Sequence, residues 1–501
     1  MISRKRAISS NIKYNILNQG VGFVVGLMLF PFIVSHVGKE VYGAYLLVTA
    51  FIGYFGVLDF GVGTAVAKYI AEFVGRDNLE KAGKVINASL FFYIVVGLIV
   101  TAILLILSFS FDHIFKIGSA DVVVMRQLFW VAAGASLFIW AGRTFDSVLY
   151  GLQRFDLIAV NSIASTIFTA IFAYVIFTHN LGIVWFLAAS YFFIIVRYLI
   201  SYLIIRYHLL KTNTFSLYFD KKTLKIIFGF SFFLLLSNVV TLLIFNFDSF
   251  VIGAFVSVAA VTLYNVGYSL QNGFRAVNSL IFSPIFPASA QMEGKNEEDK
   301  QKELLLKGTK YTSLIFTPMV IITIIFAPLF INNWMGLDFA ESILPAQVLM
   351  SFWLFSTVLQ IGSSQLMAKG YVKVIFKISA LNAFLNVGLS LLLVKPFGIL
   401  GVALGTAIPM ILVDFPLYLY QMLRALKVSL KEFFNLAIKK NLGVYLVAVI
   451  VSFLAIEIFQ PTNVFLTIGE MGIVYGIVML VGFYFFLSSK ERQEILFMIK
   501  F

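Results

Sequence analysis

Residues Ala88–Leu107 read ASLFFYIVVGLIVTAILLIL, twenty residues without a charge. Twenty apolar residues in a helix reach about 30 Å, the thickness of a bilayer's hydrocarbon core. Lys84 stands just before the run and Asp112 just after it. Runs of this kind recur along the whole chain. Of 501 residues, 60% are apolar and 12% charged, whereas soluble domains carry about 25% charged residues. A chain so long and apolar cannot hide its surface in one water-soluble core. The alternation of a membrane barrel is absent. The fold class is all-α integral membrane.

Apolar stretches predict about fourteen transmembrane helices, at 14–36, 42–68, 85–110, 125–149, 157–177, 183–205, 226–252, 259–288, 309–330, 344–368, 372–394, 399–420, 442–459 and 466–487. The narrowest breaks are Gly38-Lys39-Glu40 and Lys395-Pro396-Phe397-Gly398. The stretch after Lys13 is long and lacks a small-residue cleavage site, so it reads as the first span.

Lys and Arg positions give the orientation. Of 37, 31 fall at one set of span ends, from Arg4, Lys5, Arg6 and Lys13 to Lys490, Arg492 and Lys500. Only Lys39, Lys116 and Lys395 fall at the opposite set. The split predicts both termini in the cytosol and a multi-pass protein of a prokaryotic cytoplasmic membrane. The net charge of +13 is then a topological signal facing anionic headgroups, so membrane lipids are partners and nucleic acid is not. Outer loops are short. Among the inner ones, Gly294–Glu303 is mixed in charge and reads as a short solvated helix.

A shift of about 219 residues lays the first six helices on the next six. Tyr45 falls on Tyr264, Asp59 on Asn278, and Asn18-Gln19 on Ser237-Asn238. Gly151–Arg154 falls on Gly370–Lys373, and Leu181-Gly182-Ile183 matches Phe397-Gly398-Ile399 with a slightly smaller shift. An even helix count makes the copies parallel. The expected domains are 1–210, a six-helix lobe; 211–425, a second lobe; and 426–501, two further helices and a tail.

A charge at a helix centre costs about 2.5–3.5 kcal/mol. Arg275, in the eighth span, is too deep to snorkel comfortably. Tyr264, Tyr268, Gln271, Arg275 and Asn278 share a face by helical spacing, as a water-filled cavity wall would. The alternative is an Arg tied to an acid for packing. Asp59 reads as an ion-coupling carboxylate or gate partner, or as a structural helix–helix contact. Asp248 reads as a second such group or as interfacial, and Arg197 as a cavity cation or a snorkelling one. Arg143 and Asp146, one turn apart, are expected to pair. Asp414 either carries protons beside Pro409 or pairs with Arg424. Glu457 and Glu470 read as interfacial, Arg126 as an outer-edge residue. Pro31, Pro284, Pro287, Pro318 and Pro409 should kink their spans. Gly22/Gly26, Gly401/Gly405 and Gly472/Gly476 have the spacing of close helix packing.

The absence of cysteine excludes disulfides, thiolate metal sites and cysteine nucleophiles. His36, His113, His179 and His208 are scattered, so no metal site is expected. No phosphate-cradling Gly-Lys-Ser/Thr loop is present. No cofactor is expected beyond a coupling ion, H⁺ or Na⁺.

Several stretches resemble the polysaccharide flippases, in the superfamily that also holds multidrug exporters and lipid II flippases. They are Val37-Gly-Lys-Glu-Val-Tyr-Gly-Ala-Tyr45, Leu58-Asp-Phe-Gly61, Ala67-Lys-Tyr-Ile-Ala-Glu72 and Tyr150-Gly-Leu-Gln-Arg-Phe-Asp156. The resemblance implies two six-helix lobes in a V around a central cavity. It implies alternating-access export of an isoprenyl-diphosphate-linked oligosaccharide to the outer leaflet, with the last two helices supplying a groove for the lipid tail. It also implies a working monomer that meets other polysaccharide-assembly proteins. Unlike lipid II flippases, this chain has no Arg deep in its first two helices. A cation-coupled drug antiporter of the same fold is the alternative. A membrane glycosyltransferase or polymerase is disfavoured because the outer loops have no room for a catalytic domain. The sugar and the carrier lipid stay open.

Overall fold

The computed structural model describes residues 4–115, 121–209, 247–282, 285–489 and 491–493. Helices fill nearly all of these residues, and no strand occurs among them. In lipid every backbone polar group needs an internal partner, and a helix supplies one. Ten helical stretches are long and apolar enough to cross a membrane. Two of them, Leu17–Asp59 and Val372–Ala425, are double-length. Each contains one glycine outside helical geometry, Gly38 (φ 81°) and Gly398 (φ 56°). Positive φ is cheap only for glycine, and here it lets the chain double back. Splitting both stretches, and adding helices Phe247–Phe255 and Val258–Phe282, gives the expected fourteen. The chain is a multi-pass membrane protein. The boundary at 210, most of the seventh expected helix and the match at Ser237-Asn238 lie outside the described residues.

Contacts across Gly398 trace the second hairpin. Asn382 reaches Asp414, Asn386 reaches Thr406, and the backbone of Gly401 lies against Leu393. A Cβ on Gly401 would sit 2.0 Å from the Leu393 carbonyl oxygen, and one on Gly405 2.3 Å from Ser390 Oγ. Here the small-residue spacing does bring backbones together. By contrast, Cβ atoms on Gly22, Gly26, Gly472 or Gly476 would meet nothing within 4 Å among the described residues. For those pairs the described residues supply no close neighbour.

The described residues divide into two compact units, Met1–Thr262 and Leu263–Phe501. In the first, helix Leu79–Ser110 packs along Asp121–Gly151, with Gly97 against Leu137 and Thr101 Oγ1 donating to the Ala133 carbonyl at 3.0 Å. The Tyr198 side chain of helix Ile183–Ile204 packs against Gly142. Phe30 and Tyr42 stack at 5.0 Å, closing the hairpin at Gly38. In the second unit, helix Glu298–Met335 is the packing centre. The expected short solvated helix after Gly294 is instead its first turns, because Glu298 and Asp299 favour a helix N-terminus.

The final two helices, Leu442–Ile458 and Val464–Val481, pack on Glu298–Met335 through Leu314, Ile322, Phe326, Val444, Ala448, Val474 and Val478. Lipid is as apolar as leucine, so packing and hydrogen bonds must supply specificity, at ~0.6 kcal/mol per polar contact. Asn441 Nδ2 donates to the Lys310 carbonyl (2.7 Å) and Ser313 Oγ (2.9 Å). At the other end, Asn333 Nδ2 donates to the Pro461 carbonyl (2.7 Å) and Thr467 Oγ1 (3.0 Å). Glu470, expected at the interface, is buried at 8% exposure because its face of the helix turns inward.

Two helix ends that the 219-residue shift lays on each other close in the same way. Helix Val62–Gly75 ends in left-handed Asp77 (φ 58°), and helix Ile285–Gly294 in left-handed Asn296 (φ 54°). The amide of Asn78 donates to Phe73 O, and that of Glu297 to Met292 O. Each of these positions differs by 219. The same closure also ends helices at Gln153, Asn180, Gly370 and Lys427, and it lays Gly370 on Gln153 (a shift of 217), not on the Gly151 expected from the sequence.

Candidate functional site

Helix Val258–Phe282 carries most of the predicted site residues. The structure divides its polar face in two. Tyr264, Gln271 and Asn278, seven residues apart, form a buried seam at 1%, 1% and 3% exposure. Tyr268 and Arg275 flank that seam and are half-buried. Gly267 and Phe274 fix the helix within the second unit: Gly267 abuts Ala346, and Phe274 packs edge-on against Phe316 and Trp353. Gln271 Nε2 and Asn278 Nδ2 are buried without a hydrogen-bond partner among the described residues. A buried unpaired amide is costly, and two of them lie on one seam of the helix that carries Arg275.

The second span is not the continuous helix expected over 42–68. It breaks into a tight turn at Gly56–Asp59, followed by Phe60 (φ 51°) and Gly61 (φ 74°), before a helix resumes at Val62. Phe is uncommon in left-handed geometry, and broken spans recur where membrane proteins bind ligands. Asp59 ends the turn, and its Oδ1 accepts a short hydrogen bond from the Tyr93 hydroxyl. A Cβ on Gly63 would lie 3.1 Å from Ser147 Oγ, 3.2 Å from Tyr93 Oη and 3.5 Å from Asp59 Oδ1. The glycine leaves room for these three groups to converge.

Arg197 pairs with Asp146 at 2.7 Å and lies 4.7 Å from the Tyr198 ring centre. That replaces the expected Arg143–Asp146 pair. Arg143 instead lies 4.2 Å from the centre of the Trp140 ring. One helix thus presents Trp140, Arg143, Asp146 and Ser147 to the first unit's interior. Sequence reasoning missed Tyr93, Ser147 and the separate role of Arg143. The i, i+3, i+7 spacing of Trp140, Arg143 and Ser147 was the available signal. Asp248 is buried at 3% exposure. Arg126 Nε donates to the Ser108 carbonyl at 3.2 Å. Asp414 makes no ion pair with Arg424, and accepts from Asn382 instead. No cluster of three His, Cys, Asp or Glu able to hold a metal occurs among the described residues.

On the cytosolic side expected from the charge split, Lys369 and Gln301 both donate to Glu293 Oε2 at 2.7 Å and hold its carboxyl below the usual range. Burial raises the Glu491 carboxyl, but hydrogen bonds from Lys310 and Ser488 outweigh it and bring it down to about 2.

A family model described as "polysaccharide biosynthesis protein" matches residues 8–293, more than half of the chain. The chain belongs to the polysaccharide biosynthesis protein family. Relatives of this family member include a candidate O-antigen transporter of Shigella flexneri, 24% identical over 81% of this chain and 96% of its own. An uncharacterised membrane protein of Methanocaldococcus jannaschii is 23% identical over 85% and 84%. A teichuronic acid biosynthesis protein of Bacillus subtilis is 25% identical over 55% and 56%. Among solved structures, an inward-facing multidrug-resistance MATE transporter superposes with a TM-score of 0.67 at 17% identity, over 83% of this chain and 95% of its own. The lipid II flippase MurJ, in an inward closed conformation, also reaches 0.67 at 17% identity, over 94% and 98%. The polysaccharide biosynthesis protein described here has the MATE-like fold that the resemblance implied.

Proposed function

We propose that the protein flips an isoprenyl-diphosphate-linked oligosaccharide from the inner to the outer leaflet of a prokaryotic cytoplasmic membrane by alternating access. One observation carries the reading: the buried amide nitrogens of Gln271 and Asn278, without a hydrogen-bond partner among the described residues, share a helix with Arg275. A diphosphate and its sugars cannot enter hydrocarbon without replacements for their water. Amide N–H groups and a planar guanidinium donate to phosphate oxygens, the latter often bidentately. Tyr264 and Tyr268 lie on the same helix, and Arg197 is a further cation for the sugar-phosphate path. Asp59 and Asp248 are the gate or ion-coupling carboxylates. The lobes are 1–210 and 211–425, with 426–501 as an accessory pair, both termini cytosolic, and one chain as the working unit. Relatives named for O-antigen transport and teichuronic acid biosynthesis support a glycan substrate. The step breaks no covalent bond, so no enzyme chemistry is assigned.

A cation-coupled drug antiporter would favour an acidic or apolar cavity, and Arg275 points the other way. The deciding experiment reconstitutes the protein and follows a fluorescent isoprenyl-diphosphate oligosaccharide across the bilayer. Replacing Arg275 by Ala should slow flipping at least about tenfold, since one charge-assisted hydrogen bond is worth about 1.5–3 kcal/mol. An unchanged rate removes the anion site.

A further inference from the structure

We propose that Asp414 is a proton-binding site, closed by a reciprocal acid–amide pair with Asn382. Asp414 ends a widened, π-helical turn, Met410–Asp414, directly after Pro409. Such bulges are frequent at functional positions. Across the hairpin, Asn382 is fully buried, and its Nδ2 donates to Asp414 Oδ2 at 2.6 Å. A carboxylate only accepts, so this contact fixes which way the amide points. The other two oxygens, Asn382 Oδ1 and Asp414 Oδ1, are both buried and both lack a partner among the described residues.

Two acceptors cannot satisfy each other. One proton changes that. Added to Asp414 Oδ1 from water, it forms an O–H bond, takes the carboxyl from −1 to neutral, and turns one acceptor into a donor. That O–H can donate to Asn382 Oδ1 while the amide N–H still donates to Oδ2. A single proton therefore satisfies both orphaned oxygens and removes a charge from the membrane. A metal fits poorly, because hard cations take six or more oxygens and this site offers one carboxyl and one amide.

Among the described residues no cation pairs with Asp414. On the helix packed across the hairpin, the ionisable residues are Lys373, Lys377 and Lys395; Lys373 and Lys377 are exposed and none pairs with Asp414. On its own helix, Arg424 is exposed, and the Tyr418 hydroxyl shares a 3.1 Å hydrogen bond with Ser379 Oγ. The neighbouring helix Trp353–Ala368 has no ionisable residue. Binding the proton requires no transport; using it to drive export rests on the flippase reading.

Infrared difference spectroscopy on the lipid-reconstituted full chain, stepped in pH, reads the carboxylic-acid C=O stretch directly. The wild type should show a hydrogen-bonded acid band that Asp414→Asn removes and Asn382→Leu shifts to higher frequency. Asp414→Glu, which keeps an acid, should move the band without abolishing it and serves if Asp414→Asn fails to fold. A band unchanged in Asp414→Asn, or absent from the wild type at every pH, overturns the proposal. So does its loss when Na⁺ replaces choline at fixed pH, which would make the site one for an alkali cation. In liposomes, Asp414→Asn should still exchange substrate but no longer respond to an imposed pH gradient. An acid band as expected in a protein that moves no glycolipid supports the proton site and removes the flippase reading alone.

Discussion

Arg197 and Asp146, on different helices of the first unit, meet at 2.7 Å with side chains only 18% and 25% exposed. Losing one partner leaves a charge in a poor solvent, at a cost of about 3 kcal/mol, toward the low end for buried pairs because both retain some exposure. Asp146→Ala should therefore lower the thermal midpoint of the detergent-solubilised protein markedly. Asp146→Leu combined with Arg197→Met should recover most of the loss. Additive effects of the two changes would show that the groups are not coupled.

Gly401 and Gly472 look alike in sequence and should behave differently. Alanine at 401 pushes a methyl against the Leu393 carbonyl, an overpacking worth about 1–3 kcal/mol. Alanine at 472 meets nothing among the described residues and should be neutral, or stabilising by up to about 1 kcal/mol through helix propensity. Equal shifts in melting temperature for the two variants would contradict the hairpin packing.

The Lys310–Glu491 contact predicts a pH dependence outside the membrane. The Glu491 carboxyl is held at about 2, below its ordinary 4.5. A depressed carboxylate contributes stability above its unfolded value and loses it as pH falls through its folded one. Docking of the 491–493 segment should thus hold at neutral pH, weaken from about 4.5 downward and be lost near 2. Hydrogen exchange of these amides measures it, and Glu491→Gln should flatten the profile.

Asn333→Leu leaves the Pro461 carbonyl without its donor, at about 1–3 kcal/mol. The consequence should be local: faster proteolysis between Phe459 and Asn463, with little change at the Gly38 turn. Uniform destabilisation would argue against a discrete pin.

Features set by local chemistry were legible in the sequence. Gly38 and Gly398 interrupt apolar runs, and a break at each keeps the Lys- and Arg-rich span ends on one side, so the hairpins could be read off. The break at Gly56–Asp59 could not, because Phe60 lies in a stretch whose composition suits a continuous helix. Arg143–Asp146 illustrates another limit. Nearness along a helix suggested one partner, yet Arg197, 51 positions away, supplied the better geometry. Asn382–Asp414 was hidden for the same reason, since it exists only once the hairpin closes. On helix Val258–Phe282, spacing found the polar face, but which residues are seam and which are flank depends on neighbours such as Ala346 and Trp353.

The paired turns at Asp77 and Asn296 give the molecule an internal control. Both close with the same amide contacts although the side chains around them differ. Replacing either residue with Ala imposes the same left-handed penalty, about 1–2 kcal/mol. Any difference between the two variants in folding or transport therefore reports the environment of each half, with the turn itself cancelled out.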